Sequence, residues 1–280
     1  MLLHQAHTHK ITKIYVHEGV EVFPPGKNME VHFNWADRVF THLEYTNWTI
    51  HMCRIYRKPC FFIVHNTHSY ACAATEKSNV NIIYNSHAAK SMLNYPHPDF
   101  VLHPPVDWRK YDVGKNPIKN RFITLINLNE NKGGNIFYEI ARRLPDKEFL
   151  AVKGSYDPQI IQELPNVHFM DNSPNILPVY EMTRVLIMPS EYESWGMTAT
   201  EAMCNGIPVL CTPTFGLKEN CACAGIYIER DDIDGWVAQI KRLDQKKNYL
   251  RQSELCRNRS RELDPLTEYT QLEEFIINAR

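Results

Sequence analysis

Six short runs of apolar and β-branched residues recur through the second half of the chain, separated by polar turns and helix-like segments. The first run is Phe122-Ile123-Thr124-Leu125-Ile126, and the apolar residues from Ile136 to Leu144 recur at the spacing of a helix. Continuous apolar strands of this kind are typical of a parallel sheet covered by helices on both faces. The remaining predicted strands are 149–152, 167–169, 185–188, 209–211 and 225–228, with helices over 159–164, 175–181 and 198–205.

The first half has a similar but poorer pattern. A polar stretch rich in helix-breaking residues, 112–121, follows it, and we place a domain boundary there, with domains over 1–114 and 115–265. In open parallel sheets ligands bind beyond the carboxyl ends of the strands. The predicted elements are helices over 9–17 and 86–93, a clipped first strand over 1–4, and strands over 20–23, 38–41, 60–64, 80–84 and 100–102.

Composition excludes several classes of protein. The net charge of −1 excludes a broadly basic nucleic-acid coat, and no run of 18 uncharged apolar residues is present. The beginning of the chain, with its early His and Lys residues, does not read as a signal peptide. None of the eight cysteines forms a C-x-x-C pair. We therefore expect reduced thiols and a cytoplasmic location.

The most informative segment runs from Pro189 to Met203, beginning where a buried strand is expected to end. Gly196 permits a tight turn, and the helix that follows presents backbone N–H groups suited to a phosphate. Glu193 and Glu201 lie on either side of this turn with seven residues between them. We expect both carboxylates to face one cleft, where paired carboxylates suit the vicinal hydroxyls of ribose or a sugar.

This E-x7-E block, with Pro-Ser before it and Glu-Ala-Met and Gly-Ile-Pro-Val after it, resembles the signature of glycosyltransferase family 4 over about residues 120–230. The resemblance implies an α/β protein of the GT-B fold, with two Rossmann-like parallel-sheet domains facing a cleft. It implies that a C-terminal helix, 266–280, crosses back onto the first domain. The implied activity is retaining, metal-independent hexosyl transfer from a nucleotide sugar, with UDP as the guessed nucleotide and no cofactor.

The resemblance also implies roles for individual residues. Glu201 would bind the ribose, Glu193 would touch the transferred sugar, and Lys132 would neutralise the diphosphate. A lysine beside glycines, here Gly133 and Gly134, also suits two phosphates on physical grounds. The backbone of Gly196, Met197 and Thr198 would hold the sugar and diphosphate, and the nucleobase would lie near Phe169, Met170 and Asp171.

The sequence departs from the family pattern in two places. Asn127 stands where many members carry an arginine, and Lys153 is the candidate to supply the missing charge. The usual glycine-rich turn of the first domain is replaced by residues 4–9. His65, after the strand 60–64, is the candidate for a histidine that contacts the donor sugar, with His68 as the weaker choice. Asn85-Ser86 and Pro104–Asp107 match the family as hinge and helix-capping features.

The acceptor and the oligomeric state stay open at this point. Saccharides, proteins and hydroxymethylated DNA bases are all candidate acceptors, the last because the compact first domain is reminiscent of small phage enzymes. Residues 1–114 carry 11 Lys and Arg against 9 Asp and Glu, which allows a DNA substrate without requiring it. A non-catalytic binder of nucleotide sugars is a further alternative. The spacing of His4, His7 and His9 suits no metal cage, so no metal site is expected.

Overall fold

The computed structural model describes residues 2–3, 13–17, 19–24, 29–68 and 80–279. The first half contains a parallel four-stranded sheet and, separately, three short strands. The parallel sheet has the order β4-β5-β6-β7, and the short strands have the order β1-β3-β2 with β2 antiparallel to β3. These strands are β1 (Leu2–Leu3), β2 (Tyr15–His17), β3 (Val20–Phe23), β4 (Val39–Thr41), β5 (Cys60–Val64), β6 (Asn81–Tyr84) and β7 (Asp99–Val101).

Helices of the first half pack against the four-stranded sheet. Ser86 accepts a hydrogen bond from the backbone of Ala89 at 3.0 Å and Asp107 accepts one from Arg109 at 3.1 Å, so both act as the N-caps that the sequence predicts. Buried residues of β5 and β6 meet those of α2 in one core. The helices are α1 (Met29–Trp35), α2 (Thr46–Tyr56), α3 (His87–Leu93) and α4 (Trp108–Tyr111), with a 3₁₀ turn over Leu43–Tyr45.

The second half is a six-stranded parallel sheet with the order β10-β9-β8-β11-β12-β13. Every neighbouring pair is parallel, and the strand order reverses between β8 and β11 as in dinucleotide-binding folds. All six predicted strands are confirmed. They are β8 (Phe122–Ile126), β9 (Glu148–Val152), β10 (Val167–Met170), β11 (Thr183–Met188), β12 (Val209–Cys211) and β13 (Gly225–Tyr227).

Helices cover both faces of this sheet and enclose two large cores. One core centres on the fully buried Phe137, Phe149 and Trp236, and the other on Met203 and Leu217. The helices are α5 (Gly134–Arg143), α6 (Leu177–Met182), α7 (Met197–Cys204), α8 (Phe215–Cys221), α9 (Ile233–Arg242), α10 (Lys246–Glu262) and α11 (Leu266–Asn278), with 3₁₀ turns over Pro117–Lys119 and Ala222–Ala224. Within the described ranges, no helix is both long and apolar enough to cross a membrane.

The final helix, α11, lies against the first half of the chain. The Arg38 guanidinium donates to the carbonyl oxygens of Ile276 at 2.7 Å and Ile277 at 3.1 Å. The Phe275 ring meets Phe61 and Phe100, with ring centroids 5.9 and 5.8 Å apart. The last helix therefore packs on the first half of the chain, as the resemblance implies.

Two predicted helices are wrong. Residues 159–164 are irregular, because the Gln159 side chain accepts from Leu128 and Gly154 at 2.8 and 2.7 Å and so ties this segment to neighbouring loops. Of the predicted helix 9–17, residues 15–17 form β2, which pairs with 20–22 around the positive-φ Gly19. Residues 9–12 of that prediction, and His4 and His7, lie outside the described residues.

Candidate functional site

The candidate site lies at the point where the strand order of the second sheet reverses. Loops leave the carboxyl ends of β8 and β11 there, and ligands of such sheets bind at this position. A cleft of about 270 Å³ opens between the two loops. Its walls are formed by Leu125, Ile126, Asn127, Lys132, Lys153, Gly154, Ser155, Tyr156, Asn172, Met188, Ser190, Glu193, Gly196, Met197 and Thr198.

Lys132 and Glu193 form an ion pair inside this cleft. The Lys132 Nζ donates to Glu193 Oε1 at 2.5 Å, and the Ser190 hydroxyl donates to the same oxygen at 3.0 Å. Both side chains are largely withdrawn from solvent, with 18% and 10% of their surface exposed. Asn129 Oδ1 accepts from the Lys132 backbone at 2.8 Å and fixes the loop. The structure thus brings the predicted lysine and the first predicted glutamate into direct contact.

The α7 N-terminus forms the floor of the cleft. Gly196 has φ +87°, and a Cβ there would come within 2.7 Å of the Leu217 side chain, so the turn requires glycine. The first N–H groups of a helix have no intrahelical acceptor, and the first two residues of α7, Met197 and Thr198, line the cleft, where an anion could bind them. Asn220 Nδ2 donates to the Trp195 and Gly196 carbonyls at 3.0 and 2.9 Å and so holds the turn.

Glu201 is placed differently from Glu193. It is 7% exposed and is not among the residues that line the cleft. The Tyr180 hydroxyl donates to its Oε2 at 2.6 Å, and burial raises the pKa of the Glu201 carboxyl despite hydrogen bonds from Tyr180 and Tyr111. A ribose that contacts Glu201, as the sequence predicts, must therefore reach the carboxylate past Tyr111 and Tyr180.

Of the remaining predicted donor-side residues, Asn127 and Lys153 line the cleft, whereas Gly133, Met170 and Asp171 do not. Asn127 has φ +71°, and its Oδ1 accepts from Gln159 Nε2 at 2.9 Å, so this side chain braces the loop. Lys153 lines the cleft and pairs with the mostly exposed Asp171 at 2.8 Å. Met170 is the residue of β10 paired with Val152, next to Lys153. Gly133 has φ +84° and packs directly on Pro189, which joins the two cleft loops.

His65 stands at the carboxyl end of β5, across from the Glu193 loop. Asn85 Nδ2 donates to the His65 carbonyl at 3.1 Å and to the Ser194 hydroxyl at 2.9 Å, which links the two halves of the chain. Beside it, the Thr67 N–H donates to the Tyr192 hydroxyl at 2.9 Å. Partial desolvation and the nearby His42 lower the pKa of the His65 imidazole. A neutral imidazole is thereby favoured at this position.

Several residues of the site were missed in the sequence. Tyr156 and Asn172 line the cleft, while Tyr180 and Tyr192 hold Glu201 and the Thr67 loop. Tyrosines scattered in loops give no periodic or motif signal. The Pro-Ser pair before Glu193 was the one available cue to Ser190.

We expect Gly216→Ala to disturb the site from outside it. A Cβ at Gly216 would come within 2.3 Å of the Ser194 carbonyl carbon and 2.5 Å of the Glu193 carbonyl oxygen, so the Glu193 loop must shift. Overpacking of this kind costs roughly 1–3 kcal/mol. Chemical denaturation should show that loss, whereas Lys218→Ala, an exposed change on the same helix, should stay within about 0.5 kcal/mol of wild type. Equal stability of the two variants would contradict the crowding at Gly216.

Comparison with solved structures shows that the chain has the GT-B fold. It matches HepE of Anabaena, solved in complex with UDP and glucose, with a TM-score of 0.79 and 15% identity over 92% of this chain and 85% of that one. Sucrose-phosphate synthase of Thermosynechococcus elongatus matches with a TM-score of 0.73 and 15% identity over 93% and 84%. The predicted fold class is confirmed.

Sequence comparison finds a family model that matches part of the second half, and two related proteins. Residues 119–246 match the family model described as Glycosyl transferases group 1. D-inositol 3-phosphate glycosyltransferase of Corynebacterium urealyticum is 25% identical over 60% of this chain, and O-antigen chain mannosyltransferase B of Escherichia coli is 36% identical over 22%. The aligned segments span 46% and 16% of those proteins, less than half of either.

Proposed function

We propose that the protein is a retaining glycosyltransferase that moves a hexosyl group from a nucleoside-diphosphate sugar, with UDP as the nucleotide, to a hydroxyl acceptor. The observation that carries the proposal is the Lys132–Glu193 pair, which faces the α7 N-terminus across a cleft at the switch point of the sheet. A cation and a helix N-terminus are what a departing diphosphate requires. The similarity of residues 119–246 to group 1 glycosyltransferases supports the same activity.

In this proposal Lys132 exchanges partners when the donor binds. Its ammonium leaves Glu193 Oε1 for the diphosphate, and the Ser190 hydroxyl continues to hold that carboxylate. Glu193 is then available to accept hydrogen bonds from the sugar hydroxyls. The backbone N–H groups of Met197 and Thr198 hold the sugar and the phosphates, and Lys153 adds charge at the opening of the cleft in place of the arginine that Asn127 replaces.

Bond breaking needs stabilisation of the charge that grows on the leaving diphosphate. Lys132 and the α7 N-terminus supply it, and the donor phosphate takes the acceptor's proton, so no side-chain base and no metal ion take part in our scheme. His65, which is not among the residues lining the cleft, contacts the donor sugar from the first half of the chain in this scheme. The bonds between Asn85 and Ser194 and between Thr67 and Tyr192 hold the first half of the chain against the Glu193 loop, which in this scheme limits the entry of water.

A donor panel tests this function. Whole protein is incubated with UDP-, GDP- and ADP-sugars, with saccharide, peptide and hydroxymethylated DNA acceptors, in chelator-treated buffer. We expect release of UDP from one UDP-sugar and transfer with the donor's anomeric configuration retained, as read by NMR of the product. Tight nucleotide binding with no release from any donor would instead identify a non-catalytic binder, and an inverted product would contradict the retaining mechanism.

A further inference from the structure

A second polar cluster joins the two halves of the chain behind the cleft. His103, which follows β7, lies between two carboxylates: its Nδ1 is 2.6 Å from Glu268 Oε1 on α11, and its Nε2 is 2.8 Å from Glu219 Oε1 on α8. His87, at the first turn of α3, completes the group. One ligand atom from each of His87, His103 and Glu219 lies within 4.8 Å of the others.

The ring of His103 is held firmly in this orientation. Its backbone N–H donates to Glu268 Oε2 at 2.9 Å, and the ring packs on buried Trp195 at a tilt of 35°, with centroids 4.6 Å apart. Glu219 is fixed as well, because its two oxygens accept from the backbone N–H groups of His87 and Ala88 at 2.8 and 2.7 Å. The side chains of His103 and Glu219 are less than one-fifth exposed. The orientations of the His103 and Glu219 side chains are therefore set by neighbouring residues as well as by the contact between the two side chains.

The donor atoms of the cluster suit a cation. A neutral imidazole carries one N–H, so when the Nδ1 of His103 donates to Glu268, the Nε2 lone pair faces Glu219 Oε1. An imidazole nitrogen beside a carboxylate oxygen is a pair of ligand atoms that a divalent metal ion binds. The carboxylate on Nδ1 is the arrangement that fixes a histidine with Nε2 as a metal ligand. The exposed imidazole of His87 lies near Nε2 of His103 and adds a third ligand atom. A proton shared between His103 and Glu219 would not need this third atom, whereas a metal ion would use it.

We propose that His87, His103 and Glu219 bind a divalent transition-metal ion of the zinc type, with Glu268 orienting His103 from behind. Two imidazoles, one carboxylate and a water complete the tetrahedral set that Zn²⁺ prefers. Bond lengths of about 2.0–2.1 Å place tetrahedral donors about 3.4 Å apart. His103 Nε2 and Glu219 Oε1, 2.8 Å apart in the structure, must therefore separate by about 0.6 Å, and the exposed His87 side chain must rotate toward them. Binding expels the Nε2 proton of His103 to solvent, and the ion takes over its charge.

This metal is structural and takes no part in sugar transfer. It joins α3 of the first half, the segment after β7, and α8 of the second half, while Glu268 extends the link to α11. Its expected effect is to hold the two halves at a fixed orientation around the cleft. Because it needs no donor or acceptor, the site is testable whether or not the proposed transferase activity is found.

Zinc binding by the whole protein provides the test. Chelator-treated, reduced protein carrying Cys223→Ser, which removes an exposed thiol, is titrated with ZnCl₂ against a chromophoric chelator. We expect one ion per chain and a rise in the unfolding midpoint with zinc. Substitution with Co²⁺ should give a d–d spectrum without a thiolate charge-transfer band.

Three further variants separate this site from adventitious binding. His87→Ala removes a ligand and the edge contact of the His87 ring with His103, but it leaves both carboxylate contacts of His103 in place. Zinc affinity should therefore fall at least 10-fold, while the stability of the metal-free protein should stay within about 0.5 kcal/mol of wild type. Glu268→Gln should cost roughly 10–100-fold in affinity, as second-shell changes do. His51→Ala, at an exposed histidine of α2, should change neither. No stoichiometric zinc, a thiolate spectrum, or affinity unaffected by His87→Ala would overturn the proposal and leave a proton as the cation between the carboxylates.

Discussion

Lys132→Ala is expected to lower kcat for sugar transfer by roughly 10²–10³-fold, the range seen when a group that stabilises developing negative charge is removed. The Lys132 ammonium is paired with Glu193 and largely shielded from water, so water screens its charge little when it acts on a diphosphate. Rates of UDP release at saturating donor measure the effect. Lys132→Arg, which keeps the charge but changes its shape, should recover part of the rate.

Two controls accompany this variant. Removing Lys132 also leaves a part-buried carboxylate with the Ser190 hydroxyl as its remaining partner, which costs about 1–3 kcal/mol, so unfolding curves must confirm that the variant is folded under assay conditions. Lys115→Ala removes an exposed lysine paired with Glu181, far from the cleft, and should leave the rate unchanged. Full activity of Lys132→Ala would indicate that Lys153, and not Lys132, neutralises the diphosphate.

Glu201→Ala should weaken binding of the free nucleoside diphosphate by about 10- to 100-fold. The loss corresponds to roughly 1.5–3 kcal/mol for charge-assisted hydrogen bonds to the ribose hydroxyls. Calorimetric titration of UDP onto the whole protein gives the value directly. The structure makes this a demanding test, because the carboxylate is buried and already bonded to Tyr180.

Tyr180→Phe is the matched control for Glu201→Ala. It removes the hydroxyl that donates to Glu201 Oε2 and leaves the carboxylate in place, so UDP affinity should stay within a few-fold of wild type. Unchanged affinity in Glu201→Ala would exclude Glu201 from the nucleotide site. An equal loss in both variants would show that Glu201 acts by supporting α7 and not by touching the ribose.

Much of the second half is readable from sequence for a physical reason. Strands buried on both faces must be apolar, so the central strands β8, β9, β11 and β12, which are buried along most of their length, appear as short continuous apolar runs. The edge strands β10 and β13 are partly exposed, yet their apolar residues also stand close enough together to mark them. The first half was harder, since its short β1–β3 strands and the α1 and α2 helices carry mixed patterns. The predicted helix at 159–164 is wrong because hydrogen bonds of the Gln159 side chain outweigh local periodicity. The helix predicted over 15–17 is wrong because these residues form an antiparallel pair with β3.

In the candidate site, too, the sequence predicts some features and not others. The E-x7-E block and the loop lysine can be recognised in the sequence. A turn that binds phosphate needs a glycine, the start of a helix and a nearby cation, and such residues stand out in a sequence. Spacing alone also suggested that the two glutamates share a cleft. The structure separates them: Glu193 lines the cleft, and Glu201 is turned into a pocket of tyrosines from residues 111 and 180.

The apolar pattern and the Gly196 segment are therefore enough to predict the parallel α/β character of the second half, the order of its strands along the chain and the segment that forms the cleft floor. No local pattern predicts that Lys132 pairs with Glu193, that Asn85 bonds Ser194, or that His103 lies between Glu219 and Glu268. These contacts join residues 61 to 165 positions apart. Local pattern encodes burial and turns, whereas such long-range pairs form only when the packing of whole sheets brings their side chains together.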